Sequence, residues 1–166
     1  VYVDFAHTPD ALKKTLKVMK NHYGGNVSIV FGCGGDRDFK KRPIMGSIAD
    51  SMCKKIYVTD DNPRSEDPKK IRKEIIKNIR FSKYFNIGNR ANAIKTAITN
   101  AEPNELILVA GKGHEAQQIY KNRIIPISDS QIIKKIKIKT KKLSNKKQTF
   151  LQNKKILESI LINKKV

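Results

Sequence analysis

Cys33 and Cys53 are the only cysteines, so no disulfide framework holds this chain and a reducing, cytoplasmic setting is expected. With three histidines at unrelated spacings, they form no zinc-ligand pattern, and no metal bound wholly by this chain is expected. No apolar run is long enough to span a membrane, and nothing resembles a signal peptide, so no membrane partner is expected. The phosphate-binding pattern G-x-x-x-x-G-K-[ST] is missing, and the glycines between Gly32 and Gly35 lack the spacing of a dinucleotide fingerprint. Acids are scarce, 15 against 35 lysines and arginines, for a net charge of +20. That excess invites a nucleic-acid reading, but its distribution argues against one. Residues 132–166 carry twelve lysines, one acid (Glu158) and one aromatic, Phe150. Base-stacking platforms are missing from the most basic stretch, so no nucleic-acid partner is expected.

What the chain does have, over its first 136 residues, is a regular alternation of short apolar runs and helical periodicity. At 166 residues it is long enough for one domain with a real core. Strands are expected at 1–5, 27–31, 56–59, 85–87 and 106–110. Between them, Thr8-Pro9 supplies a cap and first residue for a helix to Tyr23, with Leu12, Leu16 and Met19 as its apolar stripe. Further helices are expected from Pro43 and over 67–80 and 91–100. Residues 118–120 and 123–126 flank Lys121-Asn122 as a hairpin, and Ser128-Asp129-Ser130 caps a helix over 131–137. The pattern predicts an α/β fold, Rossmann-like, with a mainly parallel sheet, helices on both faces and an antiparallel edge. Residues 137–166 read as a lysine-rich linker or tail. Ile156, Leu157, Ile160 and Leu161 could form one helix face within it, the start of a following domain.

Three of these strands end in loops dense in glycine and charge. The first loop is Gly32-Cys33-Gly34-Gly35-Asp36-Arg37-Asp38, followed by Lys41-Arg42-Pro43. The second is Asp60-Asp61-Asn62-Pro63-Arg64, and the third Gly111-Lys112-Gly113-His114-Glu115. Open α/β sheets bind ligands beyond the carboxyl ends of their strands, so the three loops are expected to converge. Asn62 precedes a proline and is biased toward extended backbone, while Pro63 fixes its own φ. Arg64 therefore leaves a stiff turn with a planar fork suited to a carboxylate. Acids and a cation fork in one pocket suit a zwitterion such as an amino acid. The plainer alternatives are a capped strand-to-helix turn at 60–68, an Arg37 ion-paired with Asp36 or Asp38, and a solvated Glu115.

Together with Asp4-Phe5-Ala6-His7-Thr8-Pro9-Asp10-Ala11, these motifs occur in an order that closely resembles the C-terminal domain of the Mur ligases. Within that family the likeness is to the branch that adds the third residue of the peptidoglycan stem peptide. It covers roughly residues 1–135, so 1–136 is assigned to that domain and the chain is expected to be part of a longer ligase. The resemblance implies an ATP-dependent, amide-bond-forming reaction. ATP phosphorylates the terminal carboxylate of UDP-N-acetylmuramoyl-L-alanyl-D-glutamate, and the amino group of meso-diaminopimelate attacks the acyl phosphate. ATP and Mg2+ would be bound mainly by a preceding domain, and this segment alone would be inactive.

Carried over residue by residue, the family's amino-acid site falls on Arg37, Asp61, Asn62, Pro63, Arg64, Gly111 and Glu115. Arg64 would grip the distal carboxylate, Arg37 would face a carboxylate, Asp61 and Asn62 would receive the distal ammonium, and Glu115 would accept from an ammonium. Asp4 and His7 fall on the nucleotide side. Lys112 could contact phosphate or merely cover apolar surface with its stem, and His114 is left without a role. A folylpolyglutamate-synthetase-like ligase is an alternative, weakened by the Asp61-Asn62-Pro63-Arg64 and Gly111 to Glu115 motifs. A basic nucleic-acid or lipid-binding module is a second.

Overall fold

Every residue from Val27 to Phe31 is buried, as befits a strand covered on both faces. In the computed structural model, which describes residues 1–23 and 26–136, this strand lies at the centre of a parallel sheet. The segment 137–166, with the helix face expected at Ile156 to Leu161, lies outside the described residues. The elements run β1 (Tyr2–Asp4), α1 (Pro9–Tyr23), β2 (Val27–Phe31), α2 (Lys41–Met52), β3 (Lys55–Val58), α3 (Pro68–Ile76), β4 (Lys83–Asn86) and α4 (Arg90–Thr99), then β5 (Leu106–Ala110), β6 (Gln117–Tyr120), β7 (Arg123–Pro126) and α5 (Asp129–Lys135). The five-stranded sheet has the order β1-β5-β2-β3-β4 and every pairing is parallel.

Because side chains alternate along a strand, the sheet presents two apolar faces. Ile29, Phe31, Ile56, Val58 and Leu108 meet Leu12 and Leu16 of α1, Met45 and Ala49 of α2, and Ile71 and Ile75 of α3. Val30, Tyr57, Ile107 and Val109 meet Ala93, Ile94, Ala97 and Ile98 of α4, with Ile132 and Ile133 of α5 packed alongside. Helices thus cover both faces, as the alternation predicts. None of the described helices is long and apolar enough to cross a membrane.

Several boundaries move for identifiable reasons. Helix α2 begins at Lys41, two residues before the expected proline. Pro43 still sits in the first turn, where backbone N–H groups have no intrahelical partner to lose. Helix α3 stops at Ile76 and does not reach Arg80. There the Asp50 carboxylate accepts from the amides of Arg80, Phe81 and Ser82, drawing them out of the helical ladder. The antiparallel pair β6–β7 forms its own two-stranded sheet; an isolated bridge between Arg64 and Tyr120 ties it to the loop after β3.

Candidate functional site

Parallel pairing brings the ends of β1, β2, β3 and β5 to one edge of the sheet, and their loops interlock there. Gly35 is in contact with the Pro63 carbonyl so closely that an added Cβ would lie 1.9 Å from that oxygen. No other residue fits there. Gly35 N also donates to Asn62 O at 2.9 Å, which fastens the first loop to the second. From below, the fully buried Arg42 holds the same junction. Its guanidinium donates to Glu66 at 2.8 and 2.9 Å, to Glu74 at 2.7 Å and to Gly34 O at 3.2 Å. Hydrogen bonds from Arg42 hold the Glu66 carboxyl below its usual range, and Glu66 in turn accepts from Asp36 N at 2.6 Å.

Between these loops lies a cavity of about 520 Å³, lined by His7, Arg37, Asp61, Asn62, Arg64, Gly111 and Glu115 among others. Seven of the nine residues singled out in the sequence therefore face one space. The other two do not line it. Pro63 is buried and contributes its carbonyl to the contact with Gly35. Asp4 caps a turn, its Oδ1 accepting from Ala6 N at 2.7 Å while its carbonyl accepts from Gly111 N at 3.1 Å. His7 reaches the rim, with Nδ1 2.9 Å from Phe5 O.

Arg64 adopts φ +53°, uncommon for a residue with a side chain. The conformation is held by Arg64 N donating to Ile119 O at 3.0 Å, and by Nη1 donating to Gly35 O at 2.8 Å. Its Nε and Nη2 have no protein partner among the described residues. Arg37 is also unpaired there. Asp38 accepts from Lys40 N, and Asp36 accepts from Ser65, so the loop ion pair considered for Arg37 does not form. Asp61 and Glu115 line the same cavity. Gly111, at φ +110°, lets the chain pass close to Asp61; a Cβ there would lie 3.0 Å from Oδ2.

Asn62 reverses the expected polarity. Its Oδ1 accepts from Lys112 Nζ and from Ile119 N, each at 3.0 Å, which fills both lone pairs and fixes the amide's orientation. Its Nδ2 donates to Glu115 Oε2 at 3.0 Å, leaving only an N–H for the cavity. So oriented, the amide has a donor left to offer and no free acceptor for an ammonium. Burial pushes the Glu115 carboxyl up, but hydrogen bonds from Lys112 and Asn62 outweigh it and hold the group below its usual range.

Sequence reasoning missed Lys41, Cys33 and Asp38 in the cavity wall, and left the part of Lys112 open. Lys112 is buried and does not line the cavity. Lys41 could have been suspected from its place in the first loop; its Nζ donates to His7 O at 2.8 Å. Burial pushes the Cys33 thiol up to about 12, so it is no nucleophile at neutral pH. His114, also left open, stacks on Phe5 with centroids 5.8 Å apart.

Comparison with known proteins agrees with this architecture. The family model described as "Mur ligase, glutamate ligase domain" matches residues 1–113. The UDP-N-acetylmuramoyl-L-alanyl-D-glutamate--2,6-diaminopimelate ligase of Rickettsia prowazekii (strain Madrid E) is 47% identical over 137 residues, 81% of this chain and 28% of that protein. The protein of the same name from Buchnera aphidicola subsp. Schizaphis graminum (strain Sg) is 46% identical over 144 residues, 86% of this chain and 29% of its own length. A solved structure of a ligase of that name superposes with a TM-score of 0.75 at 39% identity, covering 80% of this chain and 28% of that one. The chain thus spans under a third of the length of these relatives. Its first 113 residues, and the fold they build, belong to the Mur ligase family as the glutamate ligase domain.

Proposed function

We propose that this domain holds the incoming amino acid, meso-diaminopimelate, for an ATP-dependent ligase that joins it to UDP-N-acetylmuramoyl-L-alanyl-D-glutamate. The observation that carries the reading is the Arg64 guanidinium, fixed by its loop with Nε and Nη2 free beside the Asn62 N–H donor. Two donors of that kind suit a carboxylate, while Asp61 and Glu115 in the same cavity suit ammonium groups. A diamino diacid satisfies both sets. The contribution of the domain to rate is positional: a held zwitterion presents its attacking amine in one orientation. Arg37, nearer the rim loop, serves a second carboxylate in this reading.

ATP and Mg2+ fit this chain only at one edge. His7 and Lys41 lie on the cavity wall, and Asp4 is set back behind the Ala6 turn. Among the described residues no three His, Cys, Asp or Glu side chains are grouped to hold a metal ion. The family resemblance assigns the phosphate and metal sites to the part of the ligase that this chain does not span. A cytoplasmic location follows from the same reading, since the UDP-linked substrate and ATP are met there.

The test is Arg64→Ala in the full-length ligase. Losing a partly buried charge partner costs ~2–5 kcal/mol. A fall of roughly 30-fold or more in kcat/KM for meso-diaminopimelate is therefore expected. KM for ATP should hardly move, and L-lysine, which lacks the distal carboxylate, should be hurt much less. Equal losses with both amino acids would make Arg64 a structural residue and remove the main support for the assignment.

A further inference from the structure

Lys112 stands apart from every other charged residue near the cavity. Its side chain is 1% exposed, and it does not line the cavity, yet both of its partners do. Nζ donates to Glu115 Oε2 at 2.7 Å and to Asn62 Oδ1 at 3.0 Å. Gly111 at φ +110° and Gly113 at φ +54° bracket it, turning the chain so that Lys112 and Glu115 both face the loop after β3. A buried ammonium is stabilised only by charge and hydrogen bonds of good geometry, and an apolar side chain of similar length would be tolerated there at less desolvation cost. Filling space does not account for a lysine at this position.

We propose that Lys112 is a positioning residue that sets the polarity of the cavity: it locks the Asn62 amide with its N–H, and the Glu115 carboxylate with Oε1, toward the ligand. The inference rests on reading the cavity as an amino-acid site. Asn62 Oδ1 has two acceptor positions, one filled by Ile119 N and the other by Lys112. Glu115 Oε2 likewise receives Lys112 and Asn62, so its other oxygen is the one left for a ligand ammonium. Lys112 also neutralises Glu115. Without it, an uncompensated carboxylate on the cavity wall would attract Arg64 and repel the carboxylate that Arg64 is placed to receive. The lysine thereby bears on selectivity for a ligand with a distal carboxylate, although it touches no ligand.

The experiment is Lys112→Met, close in length and uncharged, in the full-length ligase. KM for meso-diaminopimelate should rise roughly ten- to a hundredfold, the scale of a misplaced binding group. KM for ATP should stay within twofold, and the preference for meso-diaminopimelate over L-lysine should fall. Adding Glu115→Gln removes the uncompensated charge, so the double variant should lose less than the two single effects multiplied. Should Lys112→Met fail to fold, the double variant carries the test, since it buries no unpaired charge. A wild-type preference ratio in whichever variant folds, or fully multiplicative effects, overturns the proposal. If Arg64→Ala collapses the ratio and the Lys112 variants leave it intact, only this inference falls. If neither changes the ratio, the reading of the cavity itself falls with it.

Discussion

Two of the cavities among the described residues lie at the carboxyl ends of strands, and they differ in how their cations are paired. The larger, about 780 Å³, lies over β3 and β4 against the hairpin, and is lined by Lys69, Arg72, Arg90, Arg123 and Lys135 among others. Its two most buried cations are each paired with a carboxylate, although Arg90 Nη1 has no partner among the described residues. Arg72 pairs with Asp60 and donates to Asn86 Oδ1 at 2.7 Å. Arg90 grips Asp129 through Nε at 2.8 Å and Nη2 at 2.7 Å, with both side chains almost fully buried. In the 520 Å³ cavity neither Arg37 nor Arg64 has a carboxylate partner among the described residues, and Arg64 is held by backbone oxygens through Nη1. Volume is a poor guide to recognition. A cation held in place without a counter-charge is a better one.

The comparison breaks first at Arg90. Arg90→Met would leave Asp129 buried and unpaired, and a loss of about 3–5 kcal/mol in unfolding free energy is expected in urea titrations. Amino-acid preference of the full-length ligase should be unchanged in whatever fraction folds. Arg64→Ala should show the opposite profile, with preference lost and stability moved by no more than about 1 kcal/mol. If both substitutions act on stability alone, the distinction between the cavities is mistaken.

A smaller effect sharpens the geometry of the smaller cavity. Gly111→Ala forces a side chain into φ +110° and toward Asp61 Oδ2. A destabilisation of roughly 1–3 kcal/mol is expected from the backbone alone. Displacing Asp61 should also raise KM for the amino acid; an unchanged KM would remove Asp61 from the site.

The smallest predicted effect concerns acid. Glu66 and Glu115 both lie below the usual carboxylate value of 4.5 in the folded chain. The unfolded chain takes up protons first, so these groups contribute stability that is full above that pH and is lost as pH falls below it. Glu66→Gln should flatten the dependence of unfolding free energy on pH in that acid range. An unchanged slope would mean that the Arg42–Glu66 contact contributes little to holding the first loop.

The fold was legible because burial and periodicity are local properties of the chain. Five apolar runs and the stripes at Leu12, Leu16 and Met19 dictate strands and helices whatever lies around them. So do Thr8-Pro9 and the N-cap at Ser128. Helix α3 was overextended because its end is set by Asp50, a residue on a different helix, whose carboxylate captures three amides. The hairpin was recognised, but not that it forms a sheet of its own, tied to the loop after β3 by the bridge to Arg64.

That most of the candidate residues share one cavity was legible for the same reason: parallel strands bring their loops to one edge, so three charged loops had to be neighbours. Residue type pointed to Arg64 and the acids beside it, and the family resemblance added Arg37 and Glu115. Neither could say that Pro63 and Asp4 stand behind the wall, or that Asn62 faces the cavity as a donor. Those facts depend on partners distant in sequence, because an amide has two ends and its orientation is set by what each end meets. Lys112 and Ile119, brought in by β5 and β6, decide it. Composition and order of motifs determined which loops meet. The tertiary structure alone decided which atom each residue presents, since hydrogen-bond polarity is a property of the assembled network and not of any one side chain.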